Sequence, residues 1–432
     1  MKYTWFSFFL SLVAIRFYGM ATDNQSPQIY FFVAAVTVIV FLLTYISELK
    51  INPKWMVPIG ITLIAQMIGI SHIISVSDWG TVLSADTSIP FTFVNPDNYQ
   101  GLAAEYATVG WMSRSLNYSL LLGIVYKICG VSSLIGEMLS VLFYYSSLEL
   151  FVKTVRYYDI KIINSEEFKI SFLILLFYPQ LISESIQIHR ELLIIYLLSF
   201  SLFFFVKWWK TSKYVYIFLS MIPVVLAGIL HGGSIFLAVG IALSIILYSS
   251  SRLEAKITVK TFSYLILLLF IGIFVMSRVD FDKFNNLDVT TLALERGNST
   301  GIGGSGYTAG ISIGNPILSA IVNTPIKMFY FLFSPLPHNW RGIMDVISFL
   351  MSSLLYLIPF FVVLKDKIMN RLDDNLAWSI FLSLGIFSIP FAWGVSNSGT
   401  AIRHRSKIII WLVFLILLLL KNRKSNLKGK SK

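Results

Sequence analysis

Charge is what this sequence has little of. Asp, Glu, Lys and Arg make up 13% of its 432 residues, while 56% are hydrophobic. Soluble domains carry about 25% charged residues, so this chain has too little polar surface to cover a water-soluble globule of its size. Cysteine is nearly absent: Cys129 alone excludes an intramolecular disulfide framework and cannot build a thiolate metal centre. Signature motifs are missing as well. There is no Gly-x-Ser-x-Gly elbow and no Gly-Lys-Ser/Thr phosphate loop, and none of the five histidines has the i, i+4 or His-Glu-x-x-His spacing of a metal helix. No metal and no cofactor are therefore expected. Acidic residues are outnumbered by basic ones, 22 to 34, for a net charge of +12. In a membrane protein such an excess gathers in cytoplasmic connections and sets orientation, so it does not call for nucleic acid.

Long apolar runs recur from one end of the chain to the other. Each is close to the ~20 residues a helix needs to cross the hydrocarbon core of a bilayer. Residues 192–205 and 408–420 are apolar on every face, which suits helices and not the alternating segments of a barrel. The expected fold is all-α and polytopic, with twelve spans at 4–20, 28–47, 56–75, 132–152, 168–186, 192–208, 214–230, 233–250, 261–277, 343–364, 375–393 and 407–420. The run after Lys2 looks like a signal peptide without a cleavage site and reads as the first span. Residues 1–420 then form one polytopic domain and 421–432 a basic cytoplasmic tail.

Lys50 and Lys54, the Lys153 to Lys169 group, Lys207 to Lys213, Arg252 to Lys260, Lys365 to Arg371 and the tail share one side if both termini are cytoplasmic. Two more apolar stretches, 116–130 and 316–334, would invert that pattern as full crossings. Asn117 and Lys127 weaken the first, and Pro316, Pro325 and Pro335 interrupt the second, so both read as re-entrant or interfacial helices. The opposite face receives the long polar segments 76–115 and 278–315. Loops of that length commonly carry function. The second includes a glycine-rich stretch, Thr300 to Gly310, that reads as a flexible loop.

Basic residues that break the charge rule mark the candidate site. His189-Arg190-Glu191, the Pro335 to Arg341 segment with His338, and the Asn397 to Arg405 segment with Arg403, His404 and Arg405 all fall at helix mouths on the outer side. Arginine's planar fork matches phosphate oxygens, so such a set suits a lipid-linked diphosphate. The competing reading pairs Arg190 with Glu191 or Glu184 and lets Arg403 and Arg405 reach anionic headgroups. Asp97, in the turn-forming Asn95-Pro-Asp-Asn-Tyr99, is the candidate general base, with Glu191 as its substitute. Tyr99, His189, His338, Trp340 and His404 are candidate substrate-binding groups; an indole there can stack on a sugar or anchor in the membrane interface.

These patterns, Asp97-x-Tyr99, Pro179 with His189-Arg190-Glu191, Pro335-Leu-Pro337 with Arg341, and Gly399-Thr-Ala-Ile-Arg403-His-Arg405 before the last span, resemble the Wzy-like oligosaccharide repeat-unit polymerases of O-antigen, capsule and exopolysaccharide assembly. A lesser likeness is to the GT-C polyprenyl-phosphate-dependent glycosyltransferases, which place their acidic residue after the first span, whereas Asp97 follows the third. The resemblance implies an enzyme of the bacterial inner membrane that joins undecaprenyl-diphosphate-linked repeat units on the outer face. Arg190, Arg341, Arg403 and Arg405 would then stabilise the leaving diphosphate. Its implied partners are that lipid-linked oligosaccharide, membrane lipids, a chain-length regulator and a flippase. An O-antigen ligase, a GT-C transferase and a lipid-linked oligosaccharide flippase stay open as alternatives.

Overall fold

The computed structural model describes residues 45–76, 118, 121–125, 133–248, 306, 310–311, 316–368, 375–395 and 397–429. Asp97, Tyr99, the expected spans 4–20 and 261–277, most of 28–47 and most of both long loops lie outside the described residues. The structure is 88% helical and has no strand among the described residues. The chain divides into two compact units, 1–206 and 207–432, and passes from one to the other within a helix.

The first unit contains α1 (Met56–Val76), α2 (Ser133–Tyr158), α3 (Glu166–Leu176), α4 (Pro179–Ser185) and the start of α5 (Glu191–Thr211). Helix α2 is its axis, buried from Ile135 to Val152. Phe143 of α2 stacks on Tyr196 of α5 at 5.6 Å, and Tyr157 meets Phe203 edge-on at 6.3 Å, so the two helices run in the same direction. On α1 the residues Val57, Ile61, Ile64 and Ile68 recur at helical spacing and are exposed, while Thr62 and Gln66 are buried. An apolar stripe turned outward with polar groups turned in is the reverse of a water-soluble helix.

The run 168–186, expected as one span, is two short helices instead. Pro179 occupies the first turn of α4, and Tyr178 before it is held extended (φ −66°, ψ 114°), the conformation a following proline imposes. The hydroxyl of Tyr144 donates to the Leu176 carbonyl at 2.7 Å and satisfies a carbonyl at the buried end of α3.

The second unit contains α6 (Val215–Leu230), α7 (Phe236–Tyr248), α8 (Pro316–Phe333), α9 (Ile343–Ser348), a π turn (Phe349–Ser353), α10 (Leu354–Ile368), α11 (Asn375–Gly394), α12 (Ser398–Ser406) and α13 (Ile409–Gly429). Helices α7 and α11 approach most closely. A Cβ on Gly240 would stand 2.7 Å from the Ser383 Cα, and Ser244 donates to the Ser379 carbonyl at 2.8 Å. Small residues four apart on both helices permit that approach.

Among the described residues, five helical segments are long and apolar enough to cross a membrane: Pro53–Ile70, Ile135–Tyr158, Glu191–Thr211, Asp345–Val363 and Asn375–Gly394. The apolar parts of α6, α8 and α13, and the segment Gly232–Leu247 that includes most of α7, are shorter.

Candidate functional sites

In the first unit the turn between α4 and α5 collects Glu184, His189, Arg190 and Glu191. Glu184 Oε2 lies 2.9 Å from His189 Nδ1, and Gln180 Nε2 donates to Glu184 Oε1 at 2.7 Å. A carboxylate accepts, so in this pair the imidazole Nδ1–H is the donor. Glu184 and Glu191 are 3% and 1% exposed. Ser140 of α2 donates to the Gln187 carbonyl at 2.8 Å and fixes the turn against the helix. Arg156, sixteen residues further along α2, donates to the Leu49 and Lys50 carbonyls, and Lys153 pairs with Glu149. At 1.5 Å per residue the Ser140 level is about 24 Å from that basic end.

In the second unit a cationic cluster forms where α6, α11 and α12 meet. His231 closes α6, and its ring stacks on Phe391 at 5.0 Å and meets His404 edge-on at 4.9 Å. Lys407 Nζ is 2.9 Å from His404 Nδ1 and 5.3 Å over the Phe391 ring, and the lysine is 1% exposed. An ammonium can only donate, so Nδ1 accepts and His404 presents Nε2–H. Phe391 also packs on Phe387 and Phe331, and a Cβ on Gly233 would come within 2.9 Å of its ring.

Asn397 starts α12 by accepting from the Gly399 and Thr400 amides, which leaves Arg403, His404 and Arg405 in its last turn, where a helix favours positive charge. Arg403 is half-buried. Arg405 is 0% exposed, and its guanidinium donates to the carbonyls of Leu332 and Ser334 at the end of α8 and approaches Ser353 Oγ at 3.5 Å. The Tyr356 hydroxyl donates to the Arg405 carbonyl.

No family model, curated protein or solved structure matches this chain.

Of the residues singled out in the sequence, His189, Arg190 and Glu191 share the first turn, and Arg403, His404 and Arg405 share α12. Arg341, His338 and Trp340 are exposed on the segment between α8 and α9. There Asp345 accepts from the Arg341 amide at 2.9 Å, and Trp340 Nε1 donates to the Pro335 carbonyl at 3.2 Å. Arg405 ties the start of this segment, Ser334, to α12. Sequence reasoning gave Glu184 only as a counter-ion and did not single out His231 or Lys407. Lys407 reads as the first residue of a span; its role rests on being three residues after His404, one helical turn away.

The glycine-rich stretch is anchored in the same unit. Gly306 pairs with Asn397, and Asn323 of α8 accepts from the Ile311 amide at 2.7 Å and donates to its carbonyl at 3.0 Å, as a strand would. Gly310 has φ +132° and would bring a Cβ to 2.9 Å from Asn323 Oδ1. Only glycine adopts that conformation without strain.

Proposed function

We propose that this chain is a multi-pass protein of the bacterial inner membrane, with both termini cytoplasmic, and that it joins lipid-diphosphate-linked oligosaccharide units on the outer face. Twelve crossings, with α3 and α4 together making the one expected at 168–186 and with 116–130 and 316–334 as re-entrant elements, is the topology that goes with this reading. The observation that carries it is the position of the second unit's cationic cluster. Helix α6 starts after Lys213 and ends at His231, while α13 starts after Lys407 and carries Lys421, Arg423, Lys424 and Lys428 in its second half. Cations therefore gather at the helix ends remote from the lysines that the charge rule assigns to the cytoplasm, where a position near the hydrocarbon marks function.

In the proposed reaction an acceptor sugar hydroxyl attacks the anomeric carbon of the donor glycan. The bond from that carbon to the diphosphate oxygen breaks, and the lipid diphosphate leaves with the electron pair. Negative charge grows on the leaving group, so Arg403, His404 Nε2–H and His231 stabilise the transition state more than the ground state. The hydroxyl proton passes to a base, for which Asp97, with Glu191 as its substitute, is the candidate. Arg190 and Arg341 remain further candidates for the diphosphate, and the lipid-linked oligosaccharide is the partner that this chemistry requires.

Arg403→Ala should insert normally and shorten or abolish the glycan ladder of a cell that displays its polymer. A ladder of wild-type length from Arg403→Ala combined with His404→Ala would refute the proposal. Intact ladders together with lost translocation of the lipid-linked unit would favour transport.

A further inference from the structure

We infer that Glu184, His189 and Glu191 form a binding site for a divalent transition-metal ion. One donor atom from each lies within 4.8 Å of the other two, and both carboxylates are almost wholly buried. Two carboxylates this close and this dry repel one another and lose hydration; a dication between them offsets both costs. The inference concerns what the cluster binds and holds whatever reaction the chain performs.

The geometry requires small adjustments. Zinc bonds of about 2.0–2.1 Å to nitrogen and oxygen place tetrahedral ligands roughly 3.3 Å apart. The 2.9 Å between His189 Nδ1 and Glu184 Oε2 opens by a few tenths of an ångström once the ion replaces the shared proton. The widest separation needs to close by at most about 1.5 Å, within the reach of a glutamate side-chain rotation. Glu191 stands in the first turn of α5 and Glu184 in the last turn of α4, so the ligands come from elements fixed independently of the ion. The 2.7 Å bond from Gln180 to the second oxygen of Glu184 supplies the outer contact that orients a ligating carboxylate.

The donor set limits the ion. An imidazole disfavours calcium and magnesium, which take oxygen ligands, and one nitrogen with two carboxylate oxygens suits zinc, manganese, iron(II) or cobalt(II). Three protein ligands leave a fourth position for water or a substrate oxygen, as in a catalytic centre. The competing source of positive charge is Arg190, adjacent in the chain. If its guanidinium alone balances the two carboxylates, the cluster binds no metal.

The test uses the full-length protein in detergent, stripped with chelator and titrated with Co(II), then with Zn(II) in competition. Wild type should bind one equivalent, with the visible absorption of four- or five-coordinate Co(II). His189→Gln should lose it, and Glu184→Gln and Glu191→Gln should weaken it by more than the roughly 10–100-fold that loss of an outer-shell partner costs. Arg190→Gln should leave affinity unchanged or raise it, and His338→Gln should have no effect. Binding by wild type no greater than by His189→Gln overturns the site. Should His189→Gln fail to fold, wild type alone decides. Zn(II) must protect His189 from diethylpyrocarbonate while His338 still reacts, and no protection is equally fatal. Neither readout depends on polymer formation, so a bound ion with normal ladders in Arg403→Ala combined with His404→Ala would refute the proposed function and leave the metal site standing.

Discussion

Two arginines two residues apart on α12 behave differently because of what surrounds them. Arg405 is enclosed and donates to carbonyls that the end of α8 leaves without helical partners, so it holds α8, the π turn and α12 together. Truncation leaves buried carbonyls without donors and a cavity where a long side chain was. Arg405→Ala should therefore destabilise the fold by about 3 kcal/mol or more, seen as a lower melting temperature in detergent. Arg403→Ala should melt like wild type, and its defect should appear only in the glycan ladder. The sequence marks both arginines equally, since each breaks the charge rule, but cannot tell which faces protein, because that is set by Leu332 and Ser334, more than seventy residues away. Glu184 was hard to read for a similar reason. A glutamate five residues before a histidine has no signature spacing; the proline-started α4 and the turn after it bring the two side chains together.

At the scale of elements, the helices with clean apolar runs were the legible ones. The expectations 214–230 and 375–393 differ from α6 and α11 by a residue at one end. The break within 168–186 falls at Pro179, but a proline in an apolar run does not announce a break by itself, since Pro223, Pro325, Pro359 and Pro390 all lie inside continuous helices. Helix pairing was less visible. The pair α7 and α11 depends on Gly240 and Ser244 meeting Ser379 and Ser383, and a single serine or glycine in an apolar run is too common to announce a contact. Gly240→Val should push its methyl groups into the Ser383 backbone and cost about 1–3 kcal/mol. Ser383→Ala should cost less, because Ser244 keeps its bond to the Ser379 carbonyl. Chemical or thermal unfolding of the two variants side by side checks the order.

For the whole molecule, composition alone foretold an all-helical chain, and outward-facing Val57, Ile61, Ile64 and Ile68 agree with a lipid-facing surface. The direction of insertion rests on the distribution of lysine and arginine. It predicts that, in a Cys129→Ser background, a cysteine replacing His338 reacts with an impermeant maleimide added outside intact cells, and one replacing Lys213 reacts only after the membrane is opened. Labelling of both from the same side would reverse or break the topology. Asp97 and Tyr99 lie outside the described residues, so the proposed acid–base partner on that loop stands on the sequence pattern alone.

One ring in the second unit links several of these features. Phe391 is touched by His231, His404 and Lys407 and packs on Phe331 and Phe387. Removing either histidine loosens the same aromatic wall, so the first loss already includes part of the damage of the second. The effects of His231→Ala and His404→Ala on stability are then coupled through a shared neighbour, and adding the two single-variant values would overstate the double variant. A double-mutant cycle here would report on the common ring as much as on either imidazole.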